Sequence, residues 1–349
     1  MRKKTKTIKI GKIKVGGNNP VAVQSMCNTK THNVPATVKQ ITELQKNGCE
    51  IIRVAVPDMR AAKELGNIKS KINIPLVADI HFDWKLAIEA ANQGVDKIRI
   101  NPGNIGSEDR VKEVVKICKK KNIPIRIGVN SGSLEKKLMD KYGGPTTKAM
   151  VESVINEIKL LEKLNFKNIV VSAKASTVPK MIEVYHKLSK QIDYPLHLGV
   201  TEAGTQWIGT IKSSIGIGSL LAQGIGDTFR VSLTADPVQE VKTAWEILKS
   251  LEIRNRGRTF ISCPTCGRTQ INLIKLATQI EKLTENIEKP IKIAVMGCVV
   301  NGPGEAREAD IGIAGGKKQA VIFKKGKIIC TVPESEIVGR FMEELGKIV

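Results

Sequence analysis

The sequence predicts an α/β fold, a TIM-type (β/α)8 barrel over residues 1–252 followed by a smaller α+β domain over 253–349. Three observations predict it. Short β-branched runs alternate with helical patterns eight times before residue 250. Several of those runs are apolar throughout, as in Asn168-Ile-Val-Val-Ser172, which fits strands covered on both faces. The rhythm then changes near Ile253, where a cysteine-bearing segment begins.

The chain opens on a hairpin-like stretch, Thr7 to Val15, ahead of the first barrel strand. The strand runs begin near Val21, Glu50, Pro75, Asp96, Ile123, Asn168, Pro195 and Asp227. Each is followed by apolar positions at helical period, such as Val38/Ile41/Leu44 and Val151/Val154/Ile158/Leu161. The second domain reads as a strand at Thr259–Ser262, a cysteine turn and a helix over Ile271–Leu283. A strand over Ile291–Met296 and a cysteine loop follow. A strand over Ile311–Ala314, a hairpin over Ala320–Val332 and a final helix from Glu334 complete it. Between the domains, Arg254-Asn-Arg-Gly-Arg258 reads as a basic, flexible linker.

Polar residues collect at the C-terminal ends of the barrel strands, the end where sites of this fold are built. They are Gln24 with Ser25, Arg53, Asp79 with His81, Arg99 with Asn101, and Arg126 with Asn130. Further round come Ser172 with Lys174, His197 with Glu202, and Arg230 with Ser232. Five of the eight ends carry a permanent cation: Arg53, Arg99, Arg126, Lys174 and Arg230. Like charges gathered so closely need a counter-anion, and guanidinium forks suit phosphate better than a single carboxylate. The mouth is therefore expected to hold a small diphosphate and to be too narrow for a duplex.

Cys263-Pro-Thr-Cys266 and Cys298, with Glu305 seven residues on, form a soft-ligand set. A zinc ribbon would need a second Cys or His pair, and the four histidines (32, 81, 186 and 197) all fall in the barrel part. Three thiolates with a non-cysteine fourth ligand fit an iron–sulfur cluster better, and a zinc module stays in competition. Gly297, Gly302 and Gly304 would let backbone N–H groups approach the sulfurs. Cys27, Cys49, Cys118 and Cys330 stand alone and read as packing residues.

A net charge of +22 would suit nucleic acid, but the lysines are scattered and aromatic residues make up only 3% of the chain, so no stacking platform is expected. No run reaches the roughly 18 apolar residues of a membrane span. The Met1-Arg-Lys-Lys-Thr start has no apolar signal core, and an odd cysteine count suits a reducing compartment. A cytoplasmic protein with neither nucleic-acid nor membrane partners is expected.

Eight stretches in order resemble one family, the 4-hydroxy-3-methylbut-2-enyl diphosphate synthases of the non-mevalonate isoprenoid pathway, in their shorter bacterial form. They are Pro20-Val-Ala-Val-Gln-Ser-Met26, Ala78-Asp-Ile-His-Phe82, Lys97-Ile-Arg-Ile-Asn-Pro-Gly-Asn104 and Ile125-Arg-Ile-Gly-Val-Asn130 in the first part of the barrel. His197-Leu-Gly-Val-Thr-Glu-Ala-Gly204, Gly224-Ile-Gly-Asp-Thr228, Ser262-Cys-Pro-Thr-Cys-Gly-Arg268 and Met296-Gly-Cys-Val-Val-Asn-Gly-Pro-Gly-Glu-Ala306 follow. Cys27 departs from the pattern, since such enzymes commonly have threonine after Gln-Ser-Met.

The resemblance implies reductive ring opening of 2-C-methyl-D-erythritol 2,4-cyclodiphosphate, with two electrons and loss of water. It implies one four-iron four-sulfur cluster per chain, held by Cys263, Cys266, Cys298 and Glu305. An oxygen ligand such as Glu305 grips cluster iron less firmly than thiolate does. It implies that Arg53, Arg99, Arg126 and Lys174 grip the substrate, with Asp79, Asn101, Asn130, Arg230, Ser232 and Asn301 completing the pocket. Glu202 would be the catalytic acid. His81 and His197 would at most orient ligands. Reduced flavodoxin or ferredoxin would supply the electrons. A head-to-tail homodimer would bring a cluster domain to each barrel mouth. Two other readings compete with this one: a redox-silent pterin-type transferase barrel, and a basic zinc-module nucleic-acid binder.

Overall fold

A computed structural model describes residues 2–298 and 306–349. The chain forms two compact units, Met1–Arg254 and Asn255–Val349.

In the first unit, β1 (Ile8–Ile10) and β2 (Ile13–Val15) form an antiparallel hairpin. Gly11 begins its two-residue turn at φ +54°, a conformation that favours glycine. Eight strands follow: β3 (Ala22–Met26), β4 (Ile51–Ala55), β5 (Leu76–Asp79), β6 (Lys97–Ile100), β7 (Ile125–Asn130), β8 (Ile169–Lys174), β9 (His197–Leu198) and β10 (Thr228–Phe229). Each of the eight predicted runs yields one of them. They pair in parallel in the order β8-β7-β6-β5-β4-β3-β10-β9. A bridge between Val171 and Leu196 closes the ring, with the Val171 N–H donating to the Pro195 carbonyl at 2.9 Å.

Side chains alternate along each strand, so the barrel has two buried faces of opposite character. Ile52, Val54, Ala78, Ile98, Ile100, Ile125, Ile127, Val171, Leu198 and Phe229 enter the main apolar core. The helices cover that core with stripes of period 3.6. Val34–Lys46 buries Val34, Thr37, Ile41 and Leu44, and Asn33 caps it by accepting from the Ala36 N–H. Residues of the other parity face inward. At the strands' starting ends, Ala22, Ile51, Val77 and Val170 form an apolar cluster with Ile8, Ile10 and Val15 of the hairpin. Further along, the inward residues become polar.

The second unit is a five-stranded sheet in the order β11 (Arg258–Ser262), β12 (Ile291–Met296), β13 (Ile311–Gly316), β14 (Gln319–Lys324) and β15 (Lys327–Pro333). The first three strands run parallel and the last two return antiparallel. Helices Leu273–Leu283 and Ile337–Gly346 bury Leu276, Ile280, Phe341 and Leu345 in a core shared with Ile293, Val295, Ile311, Ile313 and Ile322.

The segment read from sequence as a flexible linker is anchored at its first residue. The Arg254 guanidinium forks onto the Glu50 carboxylate at 2.8 Å on both arms. It also donates to the Val21 carbonyl at 2.7 Å and lies 4.8 Å from the centre of the Trp245 ring. Three of these contacts are bonds to a cation, so the basic character of Arg254 fixes it in place and does not loosen the chain there.

Candidate active site

The barrel's C-terminal mouth is a small polar cavity. Its lining includes Arg53, Asp79, Arg99, Arg126, Lys174 and Arg230, with His81, Asn130, Ser172, Thr201 and Ser232 between them. Arg53, Arg99, Arg126 and Lys174 are each at least nine-tenths buried, and Arg230 is half-buried. The cations predicted for the rim therefore sit inside the barrel. Two glycines make room for them. A Cβ on Gly128 would lie 2.3 Å from the Arg99 Nε, and one on Gly199 would lie 2.5 Å from the Lys174 Nζ. A larger groove of about 810 Å³ lies between helices Gln206–Ala222 and Pro237–Ser250, but its lining carries one lysine and one glutamate, so volume alone does not locate the chemistry.

Asp79 organises one side of the cavity. Its Oδ1 accepts from Arg99 Nη1 at 3.2 Å, and its Oδ2 lies 3.9 Å from Arg53 Nε and 3.3 Å from His81 Nε2. Burial pushes the Asp79 pKa up, but Arg53, the His81 hydrogen bond, Arg99 and Arg126 together hold it well below the usual carboxylate range. Arg99 also donates to the Gly128 carbonyl at 3.0 Å. Burial lowers the Arg53 pKa to about 10, helped by Arg230 and Arg99 and opposed by Asp79, so Arg53 stays charged near neutrality.

Arg126 is only 1% exposed, and its Nε and Nη1 have no hydrogen-bond partner among the described residues. Burial, Arg53 and Arg99 all work against its charge. Burial, followed by Arg53, Arg230, Arg126 and Arg99, likewise pushes the Lys174 pKa well below that of a free lysine. Buried cations that lower each other's pKa stabilise an incoming anion strongly, because the anion relieves their repulsion.

Three residues that the sequence reading left out complete this layer. Lys97 is fully buried and donates to the Gln24 Oε1 at 3.2 Å. It shares strand parity with Arg99, and that alternation was the signal for it. Burial, then Arg126 and Arg53, pushes its pKa well below the lysine range. Glu240, from helix Pro237–Ser250, is 3% exposed and accepts from Arg230 Nε at 3.2 Å and Nη2 at 3.0 Å. It also accepts from the Ser25 hydroxyl and the Leu233 N–H. An acid on the apolar face of a predicted helix was the signal here. Met26 contacts two of the arginines.

His197 is fully buried, and burial followed by Arg126 and Lys174 holds its imidazole well below the usual histidine range. Glu202 lies in the loop after β9, exposed, at φ +53°. Asn101 is buried just beyond β6.

In the second unit, β11 and β12 are parallel, with Ser262 beside Val295. Cys263 and Cys298 therefore follow the C-terminal ends of neighbouring strands. The Gly297 N–H donates to the Cys263 Sγ at 3.1 Å. The Thr269 Oγ1 accepts from the Cys266 N–H at 3.2 Å, and the Gln270 N–H donates to the Gly297 carbonyl at 2.9 Å. These bonds tie the Cys263–Cys266 turn to the loop that bears Cys298. None of the three is in a disulfide; Cys298 is buried, Cys263 half-buried and Cys266 exposed. Among the described residues no three His, Cys, Asp or Glu side chains gather as a metal site. Asn301 and Glu305 lie outside the described residues. Three thiols outside any disulfide, on loops at the C-terminal ends of β11 and β12 and one already receiving a backbone N–H, are a donor chemistry that fits an iron–sulfur cluster.

Two family models cover the chain: the GcpE TIM-barrel domain over residues 5–245 and the GcpE protein C-terminal domain over residues 259–347. A protein of Caldanaerobacter subterraneus subsp. tengcongensis, named 4-hydroxy-3-methylbut-2-en-1-yl diphosphate synthase (flavodoxin), is 60% identical over 349 residues, covering 100% of this chain and 98% of its own length. One of the same name from Clostridium perfringens is 61% identical over 348 residues, covering 100% and 99%. Among solved structures, dihydropteroate synthase from Yersinia pestis aligns with a TM-score of 0.51 at 13% identity, over 70% of this chain and 97% of its own. An N-acetylneuraminic acid synthetase from Leptospira borgpetersenii does so with 0.51 at 13% identity, over 80% and 97%. At that identity the two structures share the fold alone.

Proposed function

The chain belongs to the GcpE family, and from that membership we infer that it is an iron–sulfur oxidoreductase of isoprenoid biosynthesis. It converts 2-C-methyl-D-erythritol 2,4-cyclodiphosphate to 4-hydroxy-3-methylbut-2-enyl diphosphate with two electrons and loss of water. The competing readings, a pterin-type transferase and a zinc-module nucleic-acid binder, find no support in relatives this similar over their full length.

The observation that carries the site assignment is the set of buried cations at the mouth, of which Arg126 has two guanidinium nitrogens without partners among the described residues. Arg53, Arg99, Arg126, Lys174 and Arg230 bind the diphosphate. Asn101, Asn130, Ser232 and Asn301 complete the pocket. Asp79 acts mainly by pairing with Arg53 and Arg99, and Glu240 by forking onto Arg230. Glu202 gives its proton to the departing oxygen as the C–O bond breaks. Cys263, Cys266, Cys298 and Glu305 would hold one four-iron four-sulfur cluster, which supplies the electrons when bound.

Flavodoxin is the donor named for the relatives, and a reduced flavodoxin, or a ferredoxin, is the partner proposed here. A head-to-tail homodimer is the proposed assembly. Helix Gln206–Ala222 supports self-association, because Trp207 is 77% exposed and Ile211 and Ile215, at successive turns, are also exposed. Seven cysteines, none of them in a disulfide, support a cytoplasmic location, and none of the described helices is long and apolar enough to cross a membrane.

The test is an anaerobic iron count combined with turnover. Roughly four irons per chain, absorbance near about 400 nm and conversion of the cyclic diphosphate with a low-potential donor are expected. A colourless, zinc-loaded protein, or turnover without iron, would refute the reading.

A further inference from the structure

Met26 ends β3 and is half-buried. Its thioether sulfur accepts two hydrogen bonds from two different cations. Arg53 Nε donates at 3.1 Å and Arg230 Nη1 at 3.5 Å. The geometry follows from the barrel order: β3 lies between β4, which carries Arg53, and β10, which Arg230 follows. Met26 pairs directly with Arg53 in the register of β3 and β4.

Each arginine also has a carboxylate beside it. Asp79 lies 3.9 Å from Arg53, and Glu240 takes the side of Arg230 in a fork. The sulfur thus completes a chain of contacts from Glu240 through Arg230, Met26, Arg53 and Asp79 to Arg99. Arg53 and Arg230 repel one another, and each contributes to the charge that the cavity offers an anion.

A residue between two such guanidiniums has to meet two demands. Each buried N–H needs an acceptor, since an unpaired one is costly. Asp79 and Glu240 already offset part of the charge, and a further carboxylate between the two arginines would cancel what is left for the substrate, so a neutral acceptor suits the position. A thioether meets both demands: it is polarisable, weakly accepting and neutral. We propose that Met26 is a positioning residue that holds Arg53 and Arg230 side by side for one diphosphate group without reducing their charge. The proposal rests on the reading of the mouth as a diphosphate site.

The test compares the iron-loaded wild type with Met26→Leu and Met26→Gln, using the cyclic diphosphate as substrate and inorganic pyrophosphate as competitive inhibitor. Leucine keeps the volume and removes the acceptor. Its KM and the pyrophosphate inhibition constant should both rise about five- to tenfold, with kcat, iron content and Tm little changed. Glutamine restores a neutral acceptor and should bring both constants back towards the wild type. Unaltered constants in Met26→Leu overturn the proposal, and so does a Met26→Gln protein that binds pyrophosphate more weakly than Met26→Leu. If Met26→Leu does not fold, the Met26→Gln constants decide alone: values near wild type support the proposal and a tenfold loss overturns it. Pyrophosphate that fails to inhibit even the wild type refutes the diphosphate reading itself, and the proposal falls with it.

Discussion

The backbone N–H of Gly297 donates to the Sγ of Cys263 at 3.1 Å, joining two cysteine-bearing loops that leave adjacent parallel strands. A Cβ on Gly297 would lie 3.0 Å from the Thr269 Cγ2 and 3.1 Å from the Leu273 Cδ2. Thr269 in turn holds the Cys266 N–H. Gly297→Ala should therefore push the cysteine turn away from its loop and weaken iron retention by about tenfold or more, as outer contacts to metal ligands commonly do. Iron release to a chelator, timed under anaerobic conditions, measures it, and the barrel's melting should be unaffected.

Glu240→Gln leaves the Arg230 guanidinium without its carboxylate in a site where the acid is 3% exposed. Removing one partner of a buried pair costs about 3 kcal/mol, which for a barrel of this size lowers Tm by roughly 6 to 12 °C. Substrate KM should rise as well, because the fork that aims Arg230 is gone. Thermal melts and steady-state kinetics on the same preparation check both.

Glu202→Gln should keep colour and iron while kcat falls by about two to four orders of magnitude, the usual worth of a positioned acid. Cys298→Ser should lose both colour and turnover. The contrast separates proton delivery from cluster binding, and wild-type activity in Glu202→Gln would remove Glu202 from the mechanism.

Burial raises the pKa values of Cys27, Cys49 and Cys118 to about 12. At neutral pH these thiols should resist iodoacetamide in the folded protein. Cys266 is exposed and should be alkylated in cluster-free protein and protected in the iron-loaded form. Peptide mass spectrometry of both forms reads this out directly.

The Asp79 carboxyl is held well below its ordinary range by Arg53, His81 and Arg99 against the opposing effect of burial. A folded-state pKa below the unfolded one gives stability that is present above about pH 4 and is lost as pH falls further. Asp79→Asn should therefore melt lower than the wild type at pH 7, and the gap should narrow as pH drops below about 4. A gap independent of pH would show that the ion pairs contribute nothing.

All eight barrel strands were legible, including β9 and β10, which span only two residues each, because a short apolar run bounded by helical patterns marks a strand even when few ladder bonds form. The polar strand ends were legible for the same reason, since they break otherwise apolar runs. Depth was not. Arg126 reads as a rim residue yet is almost fully enclosed, and Lys97 two residues before Arg99 was passed over as a strand start. Glu240 and Met26 were missed because each acts on an arginine from a distant part of the chain, and pairing across β3, β4 and β10 has no local signature. The linker failed differently, since Arg254 is fixed by Glu50, some two hundred residues earlier.

The hairpin beneath the barrel has a consequence for traffic through the enzyme. Ile8, Ile10 and Val15 stopper the strands' starting ends, so among the described residues the cationic cavity is reached from the opposite end. Reactant, product and the water released on turnover must share a single doorway, so whatever closes that doorway governs entry and exit together. Deleting residues 2–16 would uncover Ala22, Ile51, Val77 and Val170, the apolar layer beneath the cationic interior. That floor would loosen, and the arginines' hold on an anion would slacken although no residue touching it had changed.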